Sequence, residues 1–72
     1  MFDEFRQNVK RIAKEKKLTY SQIADMAGIE ESTIKCFMCG ANDSRRVAEK
    51  IADVLCVKLV YSNGVYEIKT EN

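Results

Sequence analysis

The sequence predicts a mainly α-helical domain of four helices closed by a C-terminal β-hairpin, and three observations carry that expectation. Apolar residues recur at the helical period from Phe2 to Leu55. Thr19, Gln22 and Gly28 bracket the second of these stretches with start and stop signals. After Leu55 the period shortens to alternation on either side of Asn63-Gly64, the strongest short-range hairpin signal.

The first helix is expected from about Asp3 to Lys16, with Phe2, Phe5, Val9 and Ile12 on one face. Asp3 and Glu4 at its front and Lys14, Lys16 and Lys17 at its end complement the helix dipole. Phe2 either staples this helix to the body or lies exposed. In "LTYSQIADMAG" the Thr19 hydroxyl can accept from the backbone N–H of Gln22 while the glutamine amide reaches back, a capping box. It opens a short helix from Tyr20 to Ala27, with Ile23, Ala24 and Ala27 inward and Gly28 as the left-handed stop. A third helix begins near Glu31, with Ile29 buried in the turn before it and Ile34, Phe37 and Met38 toward the core; Gly40 ends it. Ser44 or Asp43 caps the fourth, "RRVAEKIADVL", which buries Val47, Ala48, Ile51, Val54 and Leu55. Residues 57–70 form the hairpin. A type I′ turn at Asn63-Gly64 sets Tyr61 opposite Tyr66 and Leu59 opposite Ile68. Val57, Leu59, Tyr61, Tyr66 and Ile68 then cover the helices, and Lys58, Val60, Glu67 and Lys69 face water. Both outer edges are open to strand addition.

The 72 residues, with no proline and three glycines, allow one small domain spanning 1–72. A chain this short buries roughly 60% of its unfolded surface, so a partner or a second copy would add stability. Twelve basic side chains against 11 acidic ones leave a net charge of +1, little for a binder of phosphates. The basic residues gather in "RQNVKRIAKEKK", which serves equally as a solvated helix face. Cys36, Cys39 and Cys56 are an odd set without a signal peptide, which points to a reducing compartment rather than a disulfide framework. No apolar run approaches the roughly 20 residues that cross a bilayer, so no membrane association is expected. Cys36-x-x-Cys39 falls short of the four ligands of a zinc site even with Cys56 as a third, and histidine is absent. No metal and no cofactor are expected, and helical spacing with ordinary packing accounts for the thiols. Enzymatic activity is not expected either: a catalytic cysteine would lack its base, and the adjacent Glu30 and Glu31 point apart on a helix.

Residues 18 to 55 resemble, position by position, the Cro and phage-repressor type of helix-turn-helix protein. The resemblance lies in "LTYSQIADMAGIEESTIKCFMCG": the leucine, the capping threonine, the alanine of the second helix, the glycine-isoleucine turn, Ser-Thr-Ile and the closing glycine. "VAEKIADVL" matches the helix that follows in that family. The resemblance implies a helix-turn-helix domain whose third helix enters the major groove and whose second crosses the phosphate backbone, often in a dimer on two half-sites. It implies DNA contacts at Tyr20, Glu31, Ser32, Lys35, Cys36 and Asn42, supported by Arg45 and Arg46. It also implies that Phe37 is core, the alternative being an interface anchor near the surface of the third helix.

The chain departs from that pattern on its outward side. Tyr20 stands where a glutamine is usual, Glu30 replaces a serine cap, Glu31 replaces a polar reader, and Cys36 and Cys39 hold places given to arginine, asparagine or lysine. Carboxylates at a helix N-terminus suit its dipole but repel the phosphates that this end would meet, although a glutamate can accept from a cytosine amino group. Tyr20, Cys36 and Cys39, rimmed by Glu30, Glu31, Ser32 and Lys35, have instead the aromatic centre and charged rim of a protein interface. The resemblance then extends to small antirepressors of temperate phage. It implies control of a lysis-lysogeny switch in the cytoplasm of a bacterial host, by binding the DNA-binding domain of a phage repressor and blocking operator recognition. The alternative is a Cro-like, sequence-specific DNA-binding repressor that acts as a dimer through Tyr20, Ser32, Lys35, Cys36, Asn42, Arg45 and Arg46. The partners implied are thus the repressor, operator DNA alone or in a mixed complex, and a second copy in a weak homodimer.

Overall fold

Helical and strand periods in the sequence become helices α1 (Asp3–Glu15), α2 (Tyr20–Ala27), α3 (Glu31–Met38) and α4 (Arg45–Val54), then strands β1 (Lys58–Ser62) and β2 (Val65–Lys69). The computed structural model describes residues 2–69. The expected domain span of 1–72 and hairpin span of 57–70 therefore each reach past the described residues, at residue 1 and at residues 70–72. Among the described residues no helix is long and apolar enough to cross a membrane.

The helix starts follow their capping chemistry. Thr19 accepts from the Gln22 N–H and the Gln22 side chain answers the Thr19 backbone, so the capping box is formed. Ser44, not Asp43, caps α4 by accepting from the Val47 N–H at 3.3 Å. The helix ends share one device. After each helix a residue adopts a left-handed conformation, and paired hydrogen bonds return from the next amides to the last turn. Gly28 and Gly40 fill that position after α2 and α3, while Lys17 and Cys56 fill it after α1 and α4 at φ values of 57° and 59°. A side chain there is strained by about 1–2 kcal/mol, which glycine avoids.

Phe2, Phe5, Val9, Ile12, Ile23, Ile34, Phe37, Met38, Ile51 and Leu55 form the core. Phe37 is fully buried and Phe2 nearly so, which makes both of them packing residues. Phe2 stacks on Tyr66 with centroids 4.3 Å apart and meets Phe37 edge-on at 5.3 Å, so one ring joins α1, α3 and the hairpin. Three expectations are corrected at the margin of the core. Ile29 and Val54 are only half-buried, and Ala27 likewise. Ala52 is buried in place of Val54, because the buried face of α4 runs through Val47, Ala48, Ile51 and Ala52.

The larger correction is Arg6. Its place in the basic run implied a solvated side chain, yet it is 7% exposed. Nε donates to the Phe37 carbonyl at 2.6 Å, and Nη2 donates to the Asn42 carbonyl at 2.7 Å and to Asp43 Oδ1 at 2.8 Å. The guanidinium plane lies over the Phe37 ring at 4.7 Å and the Phe2 ring at 5.7 Å. Arg6 sits on the same face as Phe2, Phe5 and Val9, so its stem packs with the core while its head ties α1 to the loop after α3.

The hairpin has the expected register, Leu59 opposite Ile68 and Tyr61 opposite Tyr66, around Asn63 and Gly64 at φ 53° and 78°. Its burial is less regular than strict alternation. Tyr61, on the covering face, remains 59% exposed, because so close to the turn it leans on Tyr66 rather than on the helices. Val60, expected in water, is half-buried, because β1 runs beside α4 and offers it an edge as well as a face.

Two stability outcomes follow. Arg6→Met keeps an apolar stem but removes the donors to two carbonyls; urea denaturation is expected to show a loss of about 2–4 kcal/mol, and a loss under about 1 kcal/mol would contradict the role given to the fork. Cys56→Gly relieves the left-handed strain and is expected to raise stability by about 0.5–1 kcal/mol in the same assay.

Candidate functional site

Ala24 is small enough to let α3 cross close to α2, and the left-handed Gly28 reverses the chain between them. Ile29 N–H bonds the Ala24 carbonyl at 3.0 Å and Gly28 N–H the Asp25 carbonyl at 3.3 Å. Glu30 then starts α3 from extended backbone without a side-chain cap of its own; its carboxylate is met by the Ser32 hydroxyl at 3.5 Å. Ile34, Phe37 and Met38 face inward. Glu30, Ser32, Lys35, Cys36 and Cys39 are exposed and Glu31 is half-buried, as a helix with one apolar stripe requires.

The outward side is less open than its residue types imply. Lys35 Nζ stands 2.7 Å from Glu31 Oε2, one helical turn away. The Lys35 hydrogen bond, its positive charge and a further bond from Ser21 hold the Glu31 carboxyl below its ordinary value of 4.5. The bond to Glu31 and its charge in turn raise Lys35 above 10.5. The single cation of α3 is therefore already engaged.

Tyr20, expected as an exposed anchor, is half-buried and packs on the core edge, where it shares a shallow hollow with Lys10, Lys35, Met38 and Cys39. On the other side of α3, Glu31 borders a second hollow with Ser21, Gln22, Asp25 and Ile29. The structure thus brings Tyr20, Lys35 and Cys39 together, and sets Glu31 beside residues of α2. It adds Lys10, Ser21 and Asp25 to the site. Only the basic run could have hinted at Lys10, since nothing in a linear pattern shows which turn of α1 meets α3.

Asn42 lies in the loop between α3 and α4. Its side chain accepts from the Ser44 N–H at 3.2 Å and its carbonyl is held by Arg6, so it shapes the loop. Arg45 pairs with Glu49 at 3.2 Å on α4, and Arg46 is exposed beside it. Cys36 and Cys39 are exposed, as expected of the outward side of α3, and Cys56 after α4 is exposed as well, so core packing does not account for any of the three free thiols. Cys39 Sγ lies 3.3 Å from the Cys36 carbonyl, to which it donates. Among the described residues no group of three or more His, Cys, Asp or Glu side chains is arranged to hold a metal ion.

Comparison with family models, with curated proteins and with solved structures finds no match to this chain. The functional reading therefore stands on the site itself.

The Glu31–Lys35 pair has a pH signature. A depressed carboxylate contributes stability that is present above 4.5 and lost as pH falls through the lowered value; a raised ammonium contributes stability that is present below 10.5 and lost above it. In a carboxyl-carbon NMR titration Glu31 is expected to show a midpoint below 4.5 that moves back only part-way in Lys35→Met, because the Ser21 bond remains. An ordinary midpoint in the unaltered chain would contradict the pairing.

Proposed function

We propose that the chain is a phage transcriptional modulator of antirepressor type, built on a Cro-like helix-turn-helix, that binds the DNA-binding domain of a repressor and blocks operator recognition. In size, fold class and tip chemistry it resembles a lactococcal phage modulator of repression. The reading is a binding function without catalysis or cofactor, in a bacterial cytoplasm.

One observation carries it. The cation of α3 is bound to Glu31, and Glu30 adds a further negative charge at the tip, so the helix that would enter a groove offers phosphates no uncommitted positive group. A basic DNA-binding surface on another protein, by contrast, meets Glu30, Glu31 and Asp25 favourably. The half-buried Tyr20 supplies apolar area at the other border of the same helix. The alternative, a dimeric DNA-binding repressor, draws support from Arg46 and the lysines of α1, which are exposed.

The test is a titration of the pure chain against operator DNA at low and physiological salt, with and without the repressor. The chain alone is expected to bind weakly, and to remove the repressor from its operator when added. Tight binding by the chain alone, steeply weakened by salt, would overturn the reading in favour of the dimeric repressor. Glu31→Lys sets like charges against a basic partner, a penalty of several kcal/mol, and is expected to weaken the repressor complex about 100-fold.

A further inference from the structure

We propose that Cys36 and Cys39 form a dithiol modification site on α3, closed to an intramolecular disulfide by a low-molecular-weight disulfide such as glutathione disulfide. The pair lies three residues apart, and in a helix Cβ atoms at that spacing are about 5–6 Å apart. A disulfide needs about 3.5–4.5 Å, so closure requires a movement of about 1–2 Å. The fold puts the pair where such a movement disturbs little. Cys39 is the first residue beyond the last helical one, and Gly40, left-handed at φ 88°, follows it.

The Cys39 side chain is already directed back toward the turn that carries Cys36. Cβ vectors in a helix lean toward its N-terminus, so Cys39 leans back over the turn that holds Cys36. Its Sγ lies 3.3 Å from the Cys36 carbonyl oxygen. That carbonyl also accepts from the Ala41 N–H at 2.9 Å, so withdrawal of the thiol donor leaves no orphaned acceptor. Both thiols are exposed, and a small oxidant reaches them without unfolding. Lys10, on α1, borders the hollow that holds Cys39, and its positive charge favours the approach of an oxidant bearing carboxylates. Cys56 is exposed as well, but it follows α4, an element with no other cysteine.

The chemistry balances as two exchanges. The Cys39 thiolate attacks one sulfur of the oxidant, forming a mixed disulfide and releasing one small thiolate. The Cys36 thiolate then attacks the Cys39 sulfur, forming the protein disulfide and releasing the second. The two protons of the protein thiols end on the two released thiols, and the two electrons that the protein gives up reduce the one S–S bond of the oxidant. Closure removes two S–H groups from the outward face and draws in the last turn of α3. Its effect on a repressor complex rests on the function proposed above, whereas formation of the bond does not.

The test uses the full chain carrying Cys56→Gly in a glutathione redox buffer, read by mass spectrometry and thiol counting, with helicity checked by circular dichroism. The expected product is lighter by two hydrogens, loses both thiols together and retains no glutathione. Cys36→Ser and Cys39→Ser in the same background are each expected to stop at a stable mixed disulfide. Accumulation of glutathione adducts on the chain that keeps both thiols, or persistence of free thiols in a buffer that oxidises a short dithiol peptide, would overturn the site. An oxidised chain that displaces the repressor as well as the reduced one would leave the dithiol standing and remove Cys36 and Cys39 from the proposed interface.

Discussion

Arg6 reaches from the first helix to the loop behind the third, donating to two backbone carbonyls and to the carboxylates of Asp3 and Asp43 while its guanidinium lies over two phenylalanine rings. The pose of α3 depends on that reach. At eight residues α3 is too short to hold a helix by propensity, so its place is set by what packs against it. Ile34, Phe37 and Met38 provide the apolar floor. Arg6 provides a positive charge at the C-terminal end, where the helix leaves its carbonyls unmatched and its dipole negative. The rings over which the guanidinium lies continue through Phe2 to Tyr66, so the hairpin is joined to the same cluster. A two-stranded ribbon is marginal alone, and here that stack gives it a body to rest on.

The outward side of α3 is best understood as a surface of two ends. The exposed Glu31–Lys35 pair adds little to stability, since such pairs are screened and hold two long side chains still for a small gain. Its larger effect is on the surface field: it cancels charge at mid-helix and leaves Glu30 and Asp25 to dominate one end and Lys10 the other. Phosphates present one sign along their whole length, and a protein surface can present both. The exposed thiols lie on this same side, where small changes in their chemistry alter what the face offers.

Much of the fold was legible because its signals are local. The Thr19–Gln22 box, the glycine stops at Gly28 and Gly40, and the Asn63-Gly64 turn each act within a few residues, and all appear where their chemistry requires. The stops at Lys17 and Cys56 were not legible, because a non-glycine residue becomes left-handed only when packing on both sides over-determines it. The candidate face was half legible. Helical period alone assigns Glu30, Ser32, Lys35, Cys36 and Cys39 to the outside of α3. It does not reveal that Lys35 is engaged by Glu31, that Tyr20 is half-covered, or that Asn42 is spent on the loop.

The sequence by itself determined the order and kind of the elements, their caps, the hairpin register and which residues of α3 point outward, since periodicity and turn chemistry act over a few residues at a time. Only the tertiary structure decided the fate of Arg6. It also set the company of Tyr20 and Lys10, and left Tyr61 exposed while burying Tyr66. Those outcomes depend on contacts between residues far apart in the chain, such as the 31-residue separation between Arg6 and Phe37, and no local pattern records them.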